Sequence, residues 1–170
     1  METVEFNVYE DFEQPLADRF TAFMSGLSKP CAVLMDIESC GGYCHVLEQM
    51  EQVITQKKNE GFVFITNVDL FAYSCGLFLF LMGDIKLADD DADFMFHSAG
   101  IELFMSRVTS KEAKEMVEEL ERCDAITNKI LAENTTADPG MLEILKKNDN
   151  FLSKEDMIYL GFMEREYELI

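Results

Sequence analysis

The chain has 170 residues, of which 48% are hydrophobic, and this composition predicts a soluble globular protein with one domain over residues 1–170. Its 33 acidic and 14 basic residues give a net charge of -19 at pH 7, which would repel phosphate backbones and anionic membrane surfaces. We therefore expect neither nucleic acid nor membranes as partners. The longest apolar stretch, around residues 77–82, is shorter than the ~20 residues of a membrane span, and no basic signal-peptide start follows Met1. These features predict a cytoplasmic protein.

Strand and helix patterns alternate along the first half of the chain. Residues 4–9 alternate between apolar and polar side chains, and the runs 31–37 and 62–65 are almost continuously apolar. Between these runs, apolar residues recur at helical spacing. They are Leu16, Phe20, Phe23, Met24 and Leu27, and then Val46, Leu47, Met50, Val53 and Ile54. The alternation predicts an α/β fold with a mostly parallel sheet covered on both faces, and active sites in such sheets lie at the carboxyl ends of the strands.

Ser74 lies at a point where a strand pattern changes into a helix pattern, a position typical of nucleophiles. A hydroxyl attacks a carbonyl only when a base removes its proton, and an imidazole oriented by a carboxylate does this best. His97 and Asp149 follow along the chain as the candidate base and acid. Each residue also has a simpler structural interpretation. Ser74 would then be a helix cap, His97 a hydrogen-bonded core histidine and Asp149 a turn residue.

Two turns after predicted strands supply backbone amides that could stabilise an oxyanion. The first is the turn at residues 38–42, whose glycines allow a close approach to a ligand. The second is the Ser74 turn, where the amide of Cys75 begins a helix. The thiol of Cys75 is a rival nucleophile. The residue after a nucleophile in such a turn contributes its amide, so we interpret Cys75 as an oxyanion donor.

The chain has five cysteines and no recognisable export signal, and the odd number predicts free thiols. These cysteines are Cys31, Cys40, Cys44, Cys75 and Cys123. Cys40, Cys44 and His45 lie close enough in sequence to be considered as zinc ligands, but their spacing matches no common zinc pattern and better fits the start of a helix. We therefore expect no metal and no cofactor.

Four sequence blocks resemble, in order and approximate spacing, those of the Clp protease proteolytic subunit (ClpP) family. They are Ile37-Glu38-Ser39-Cys40-Gly41-Gly42, Ala72-Tyr73-Ser74-Cys75-Gly76, Met95-Phe96-His97 and Asn148-Asp149-Asn150-Phe151-Leu152-Ser153. The resemblance extends from the first strand to residues 159–162. It implies the ClpP/crotonase spiral of ββα units with a protruding handle helix, and a serine peptidase that encloses its active sites in homo-oligomeric rings and cleaves polypeptides. Short acidic members of this family occur in bacteriophages, and the chain is similar to that group.

By this resemblance Ser74 is the nucleophile, His97 the general base and Asp149 the orienting acid, while the amides of Gly42 and Cys75 form the oxyanion hole. Residues 108–134 match the handle helix that packs one ring against another. A capping box at Thr109 and Glu112 and an apolar face independently predict a long helix there. The members of that face are Ala113, Met116, Val117, Leu120, Cys123 and Ile130. The face either forms an interface between subunits or covers the chain's own sheet.

The chain departs from the family pattern at Cys40, at Tyr73 and at residues 98–100, which predicts altered specificity. It also begins almost at the first strand, so the segment that helps to dock an AAA+ unfoldase has no counterpart, and that partner is doubtful. Two other functions stay open. One is a catalytically silent ring subunit, because of Tyr73, and the other is a crotonase-type acyl-CoA enzyme, which shares the spiral but does not normally need the triad.

Overall fold

The computed structural model describes residues 2–100 and 107–165, and within them the chain forms seven strands and six helices. The strands are β1 (Thr3–Val8), β2 (Ala32–Ile37), β3 (Val63–Val68), β4 (Phe71–Tyr73), β5 (Ile85–Ala88), β6 (Asp93–Phe96) and β7 (Asn150–Ser153). The helices are α1 (Gln14–Gly26), α2 (Cys44–Asn59), α3 (Cys75–Leu81), α4 (Ser110–Asn134), α5 (Pro139–Leu145) and α6 (Lys154–Tyr159). Each helix in these two ranges is too short or too polar to cross a membrane.

The larger sheet has the strand order β1-β2-β3-β5, and all of its strands are parallel. Side chains on one face, including Met35 and Phe64, are fully buried in the core. The other face is polar or half-exposed, and on it the Asn67 amide donates to the Asp36 carboxylate at 2.8 Å. The predicted burial of both faces is therefore wrong for the described residues. Some residues on this partly exposed face, such as Ile65, are apolar, so the sequences of the strands are almost continuously apolar although one face is not fully buried.

A second sheet of three strands, in the order β4-β6-β7, was not predicted as a separate unit. Strand β4 pairs in parallel with β6, and β6 pairs antiparallel with β7. Helix α3 follows β4 directly, and all seven of its residues are buried. A helix that is apolar on all sides belongs in the core. Its burial fixes the carboxyl end of β4, where Ser74 lies.

Helix α4 is the long helix predicted at residues 108–134, and it begins at Ser110. The predicted capping box is present, since Thr109 accepts from the Glu112 amide while the Glu112 carboxylate accepts from the Thr109 amide at 2.8 Å. The carboxyl-terminal half is buried through residues such as Ile126 and Ile130. This half covers the chain's own core, as one of the two interpretations of the apolar face expected. The amino-terminal half protrudes, and Val117 on it is 53% exposed.

Three contacts join α4 to α2. Lys129 on α4 donates to Glu51 at 2.7 Å, and Glu51 is almost fully buried. This hydrogen bond raises the pKa of the Lys129 ammonium, because the charged form is the one that Glu51 binds. Arg122 contacts Glu48 at 2.6 Å. The third contact is covalent.

A disulfide links Cys44, the first residue of α2, to Cys123 on α4, with their Cα atoms 5.6 Å apart. The prediction of free thiols is confirmed for Cys31, Cys40 and Cys75 and is wrong for this pair. The two paired cysteines are 79 residues apart in sequence, so only the packing of α4 on α2 brings them together.

Candidate active site

Ser74 occupies a strained turn between β4 and α3. Its φ of 52° and ψ of -120° make it the sole non-glycine residue with positive φ among residues 2–100 and 107–165. Such a conformation costs of order 1–3 kcal/mol in a residue that carries a Cβ, and it is typical of nucleophiles that project from a strand-turn-helix unit. The Ser74 amide donates to the Met95 carbonyl at 2.9 Å, which ties the turn to strand β6.

The order of the small sheet brings the three predicted triad residues together. Ser74 follows β4, His97 follows β6, and Asp149 precedes β7. Because β6 lies between β4 and β7, His97 lies between the other two side chains. Its Nε2 is 2.8 Å from the Ser74 hydroxyl, and its Nδ1 is 3.5 Å from the Asp149 carboxylate. When Nε2 accepts the serine proton, Nδ1 carries the ring proton and faces Asp149.

The two contacts of His97 differ in quality. The contact with Ser74 has the length of a good hydrogen bond, whereas the contact with Asp149 is longer than the usual range of about 2.7–3.2 Å for an N–H···O hydrogen bond. The Asp149 side chain is also 71% exposed, so water competes for its oxygens. Neighbouring hydrogen bonds nevertheless fix the loops, since the Asn150 side chain donates to the Leu145 and Asn148 carbonyls, both at 2.6 Å.

The turn at Gly41 and Gly42 packs directly against Ser74. Gly41 has φ +98°, and a Cβ at this position would lie 2.7 Å from the Ser74 Cβ and 2.9 Å from the Tyr73 carbonyl. Gly42 has φ +147°, and a Cβ there would lie 2.7 Å from the Phe12 carbonyl. Only glycine fits both positions. The Phe12 amide donates to the Gly41 carbonyl at 2.7 Å, which holds the turn in place.

The predicted oxyanion residues Gly42 and Cys75 lie next to each other. The Cys75 thiol is 3.4 Å from the Gly42 carbonyl, to which it donates. Burial raises the pKa of this thiol to about 11, and hydrogen bonds between the sulfur and the Gly42 backbone and Ser74 side chain offset that rise only in part. The thiol therefore stays protonated at neutral pH and is a poor nucleophile. This supports the interpretation that Cys75 contributes its backbone amide, which begins α3.

A cleft of about 410 Å³ opens over Ser74 and His97. Gly42 and Tyr43 line it on the side of the oxyanion turn, and Met116 and Leu120 line it from α4. From the sequence, Met116 and Leu120 were expected to form an interface between subunits or to cover the sheet, and their place in the cleft was not predicted. Their helical spacing showed that they share a face, but it could not show what that face covers.

Tyr73 does not obstruct the cleft. Its hydroxyl donates to Asp93 at 2.8 Å, and its ring meets the edge of Phe151 with the centroids 5.7 Å apart. Tyr73 shares the outer face of the small sheet with these partners, because paired and alternate residues point to the same side. The Tyr73 side chain, which suggested a catalytically silent subunit, therefore lies outside the lining of the cleft.

The structure does not bring Cys40, Cys44 and His45 together as metal ligands. Cys44 forms the disulfide with Cys123, and the His45 ring stacks on Tyr43 with the centroids 5.5 Å apart. Across residues 2–100 and 107–165, no three His, Cys, Asp or Glu side chains form a group suited to a metal ion.

The sequence model of the Clp protease family matches residues 4–167. A search of the curated proteins returns no significant match. Among solved structures, a peptidase from Plasmodium falciparum is similar with a TM-score of 0.73 and 11% identity, over 95% of this chain and 93% of that chain. At this identity the likeness concerns the fold, and together with the family match it confirms the expected ClpP-like α/β architecture. Because the family model spans nearly the whole sequence, the chain belongs to the Clp protease family.

Proposed function

We propose that this protein is a serine endopeptidase that hydrolyses polypeptides through Ser74, His97 and Asp149. The observation that carries the proposal is the 2.8 Å contact between His97 Nε2 and the hydroxyl of Ser74 in its strained turn. A serine in this conformation presents its hydroxyl to a base. Membership of the Clp protease family supports the same activity, since that family generally cleaves polypeptides and forms oligomeric rings.

The proposed reaction has two halves. His97 Nε2 accepts the Ser74 proton as the serine oxygen bonds to the peptide carbonyl carbon, and the carbonyl oxygen becomes an oxyanion facing the amides of Gly42 and Cys75. The C–N bond then breaks, and the leaving amine takes the proton from His97. In the second half, water attacks the acyl-serine ester while His97 Nε2 accepts the proton of the water. The ester bond then breaks, the carboxylic acid leaves, and His97 returns the proton to the Ser74 oxygen.

The cleft suggests which peptides bind. Met116 and Leu120 form an apolar wall next to Ser74, which suits an apolar substrate side chain, while Glu119 adds negative charge to the lining. The net charge of -19 further favours neutral or basic substrates over acidic ones. We propose that the protein acts in the cytoplasm as a homo-oligomeric ring.

The direct test is hydrolysis of a fluorogenic peptide with leucine or methionine before the scissile bond. Ser74→Ala removes only the attacking hydroxyl, so turnover should fall to background, and His97→Ala should do the same. Ser25→Ala is the matched control, because it deletes an exposed hydroxyl on α1. Wild-type turnover by folded Ser74→Ala would refute the proposed function.

A second candidate is a ring subunit with little or no peptidase activity. The observation that favours it is the long, exposed contact between Asp149 and His97. The hydrolysis assay separates the two candidates. A folded wild-type protein whose turnover equals that of Ser74→Ala would support the inactive subunit.

A further inference from the structure

The disulfide between Cys44 and Cys123 lies in the wall of the candidate cleft. Cys44 follows Gly42 by two residues, so the bond begins next to the predicted oxyanion turn. Both cysteines line the same cleft as Ser74 and His97. The bond therefore connects the two sides between which a peptide would lie.

The partner of Cys44 lies on the face of α4 that forms the apolar wall. Met116, Leu120 and Cys123 follow each other at intervals of four and three residues, so they stack along one side of the helix. The first half of α4, residues 110–122, is otherwise mostly exposed. At its base the other tie to α2 is the Arg122–Glu48 ion pair, in which the Arg122 side chain is 67% exposed. Exposed ion pairs hold such elements weakly. The disulfide is thus the strongest local restraint on the wall.

We propose that the Cys44–Cys123 disulfide positions Met116 and Leu120 against the substrate, so that opening it by thiols weakens peptide binding. This inference rests on the proposed peptidase function. In the opening step a dithiol reductant attacks one sulfur, the S–S bond breaks, and two thiols form as the reductant becomes a cyclic disulfide. Disulfides of cytosolic proteins are commonly transient or redox-sensing. In a reducing compartment, thiols would therefore control how tightly the cleft binds a peptide.

The site itself does not depend on this bond. Ser74, His97 and Asp149 lie at the strand ends of the small sheet, and Ser74 is fixed by its hydrogen bond to Met95 and by the buried helix α3. Opening the disulfide should therefore affect substrates that need the wall more than small reagents that need only the nucleophile. A peptide should show a higher KM with a similar kcat.

The experiment compares the oxidised protein with the protein reduced by dithiothreitol, and with Cys44→Ser, Cys123→Ser and the double variant. Thiol titration after denaturation should count three thiols before reduction and five after it. The reduced and variant proteins should share a peptide KM raised about five- to tenfold, the size expected for partial loss of apolar contact with a Met and a Leu side chain. Labelling of Ser74 by a small fluorophosphonate should change less than about twofold.

Cys31→Ala is the matched control, because Cys31 is a free, buried thiol next to the start of β2, at the end of that strand remote from the cleft. It should keep the wild-type KM and its response to reduction. Hydrogen exchange is a readout independent of activity, and reduction should speed the exchange of residues 110–122 by about tenfold or more while β2 and β3 stay protected.

Three outcomes would overturn the inference. The first is an unchanged peptide KM in active, reduced protein, and the second is unchanged exchange of residues 110–122. The third is loss of protection across both sheets, because it would show that the bond maintains the whole fold and not only the position of the wall. Absence of Ser74 labelling in both redox states has a different meaning. It would refute the proposed function, and the exchange measurement alone would then decide whether the disulfide restrains α4.

Discussion

His97 has one close partner and one distant partner, and this difference determines what each triad residue should contribute. The imidazole is 2.8 Å from the Ser74 hydroxyl and 3.5 Å from the Asp149 carboxylate. A carboxylate orients the ring and stabilises the imidazolium most strongly when it is buried and close. Asp149 is largely exposed, so its effect on the ring is screened by water.

We predict that Asp149→Asn lowers kcat/KM by more than about tenfold but by less than the ~10⁴-fold seen when a buried triad acid is replaced. The measurement is steady-state hydrolysis of a fluorogenic peptide. Asp93→Asn is the control at the far end of β6 from His97, where Asp93 accepts from the Tyr73 hydroxyl, and it should leave kcat/KM nearly unchanged. A loss below tenfold would mean that Asp149 is not the orienting acid. A full 10⁴-fold loss would contradict the weak contact.

At the scale of elements, the turn at residues 41–42 and the start of α3 depend on each other. A Cβ at Gly41 would lie so close to the Ser74 Cβ and the Tyr73 carbonyl that no side chain fits there. The turn and the nucleophile must therefore move together.

We predict that Gly41→Ala lowers kcat/KM by about 10²-fold or more, the loss typical of a missing oxyanion donor, because the new methyl group must displace Ser74 or the turn. Gly26→Ala is the matched control. A Cβ at Gly26 meets nothing within 4 Å, so this change should alter the free energy of unfolding by less than about 1 kcal/mol and leave turnover unchanged. Near-normal turnover by Gly41→Ala would show that the turn has no part in catalysis.

Helix α4 gives a second comparison between elements. Leu120 lines the cleft, whereas Val117 on the same helix is 53% exposed. Leu120→Asp should raise the KM for an apolar peptide about tenfold or more, since a carboxylate would replace an apolar contact of the substrate. Val117→Asp should leave the KM unchanged and should weaken assembly if the exposed side of α4 meets another subunit. Kinetics and sedimentation of both variants test this assignment. Equal effects of the two changes on KM would contradict it.

Much of the fold follows from the sequence, and the rest depends on contacts that local patterns do not record. The strands near residues 4–9 and 31–37, the capped helix α4 and the turn at Ser74 were predicted because periodicity and capping are local properties. Strand β4 has only three residues, too few to show a period, so the second sheet was missed. The Cys44–Cys123 bond and the cleft wall depend on the packing of α4 over α2.

The same limit applies to the site. Ser74, His97 and Asp149 were predicted as a triad, and the structure brings their side chains together, while their catalytic roles stay predictions. The loose position of Asp149 had no signal in the sequence.

At the scale of the whole molecule, the exposed apolar residues of the described monomer suggest subunit contacts. Phe151 is 65% exposed, Ile144 59% and Tyr159 83%, and exposed apolar groups mark interfaces when they are contiguous. The apolar face of α4 was expected either to form the interface or to cover the sheet. Most of that face lines the cleft or lies in the core, and Val117 is the large apolar residue on it that stays exposed. Assembly into a closed ring therefore rests on the family, and cyclic symmetry would satisfy identical interfaces on every subunit.

The most direct test of the central claim, that Ser74 is an activated nucleophile in each subunit, is native mass spectrometry after treatment with a fluorophosphonate. We predict a homo-oligomer that gains one adduct per subunit, with the adduct on the peptide containing Ser74 and absent from His97→Ala. A folded protein that gains no adduct, or gains it on a residue other than Ser74, would show that Ser74 is not an activated nucleophile.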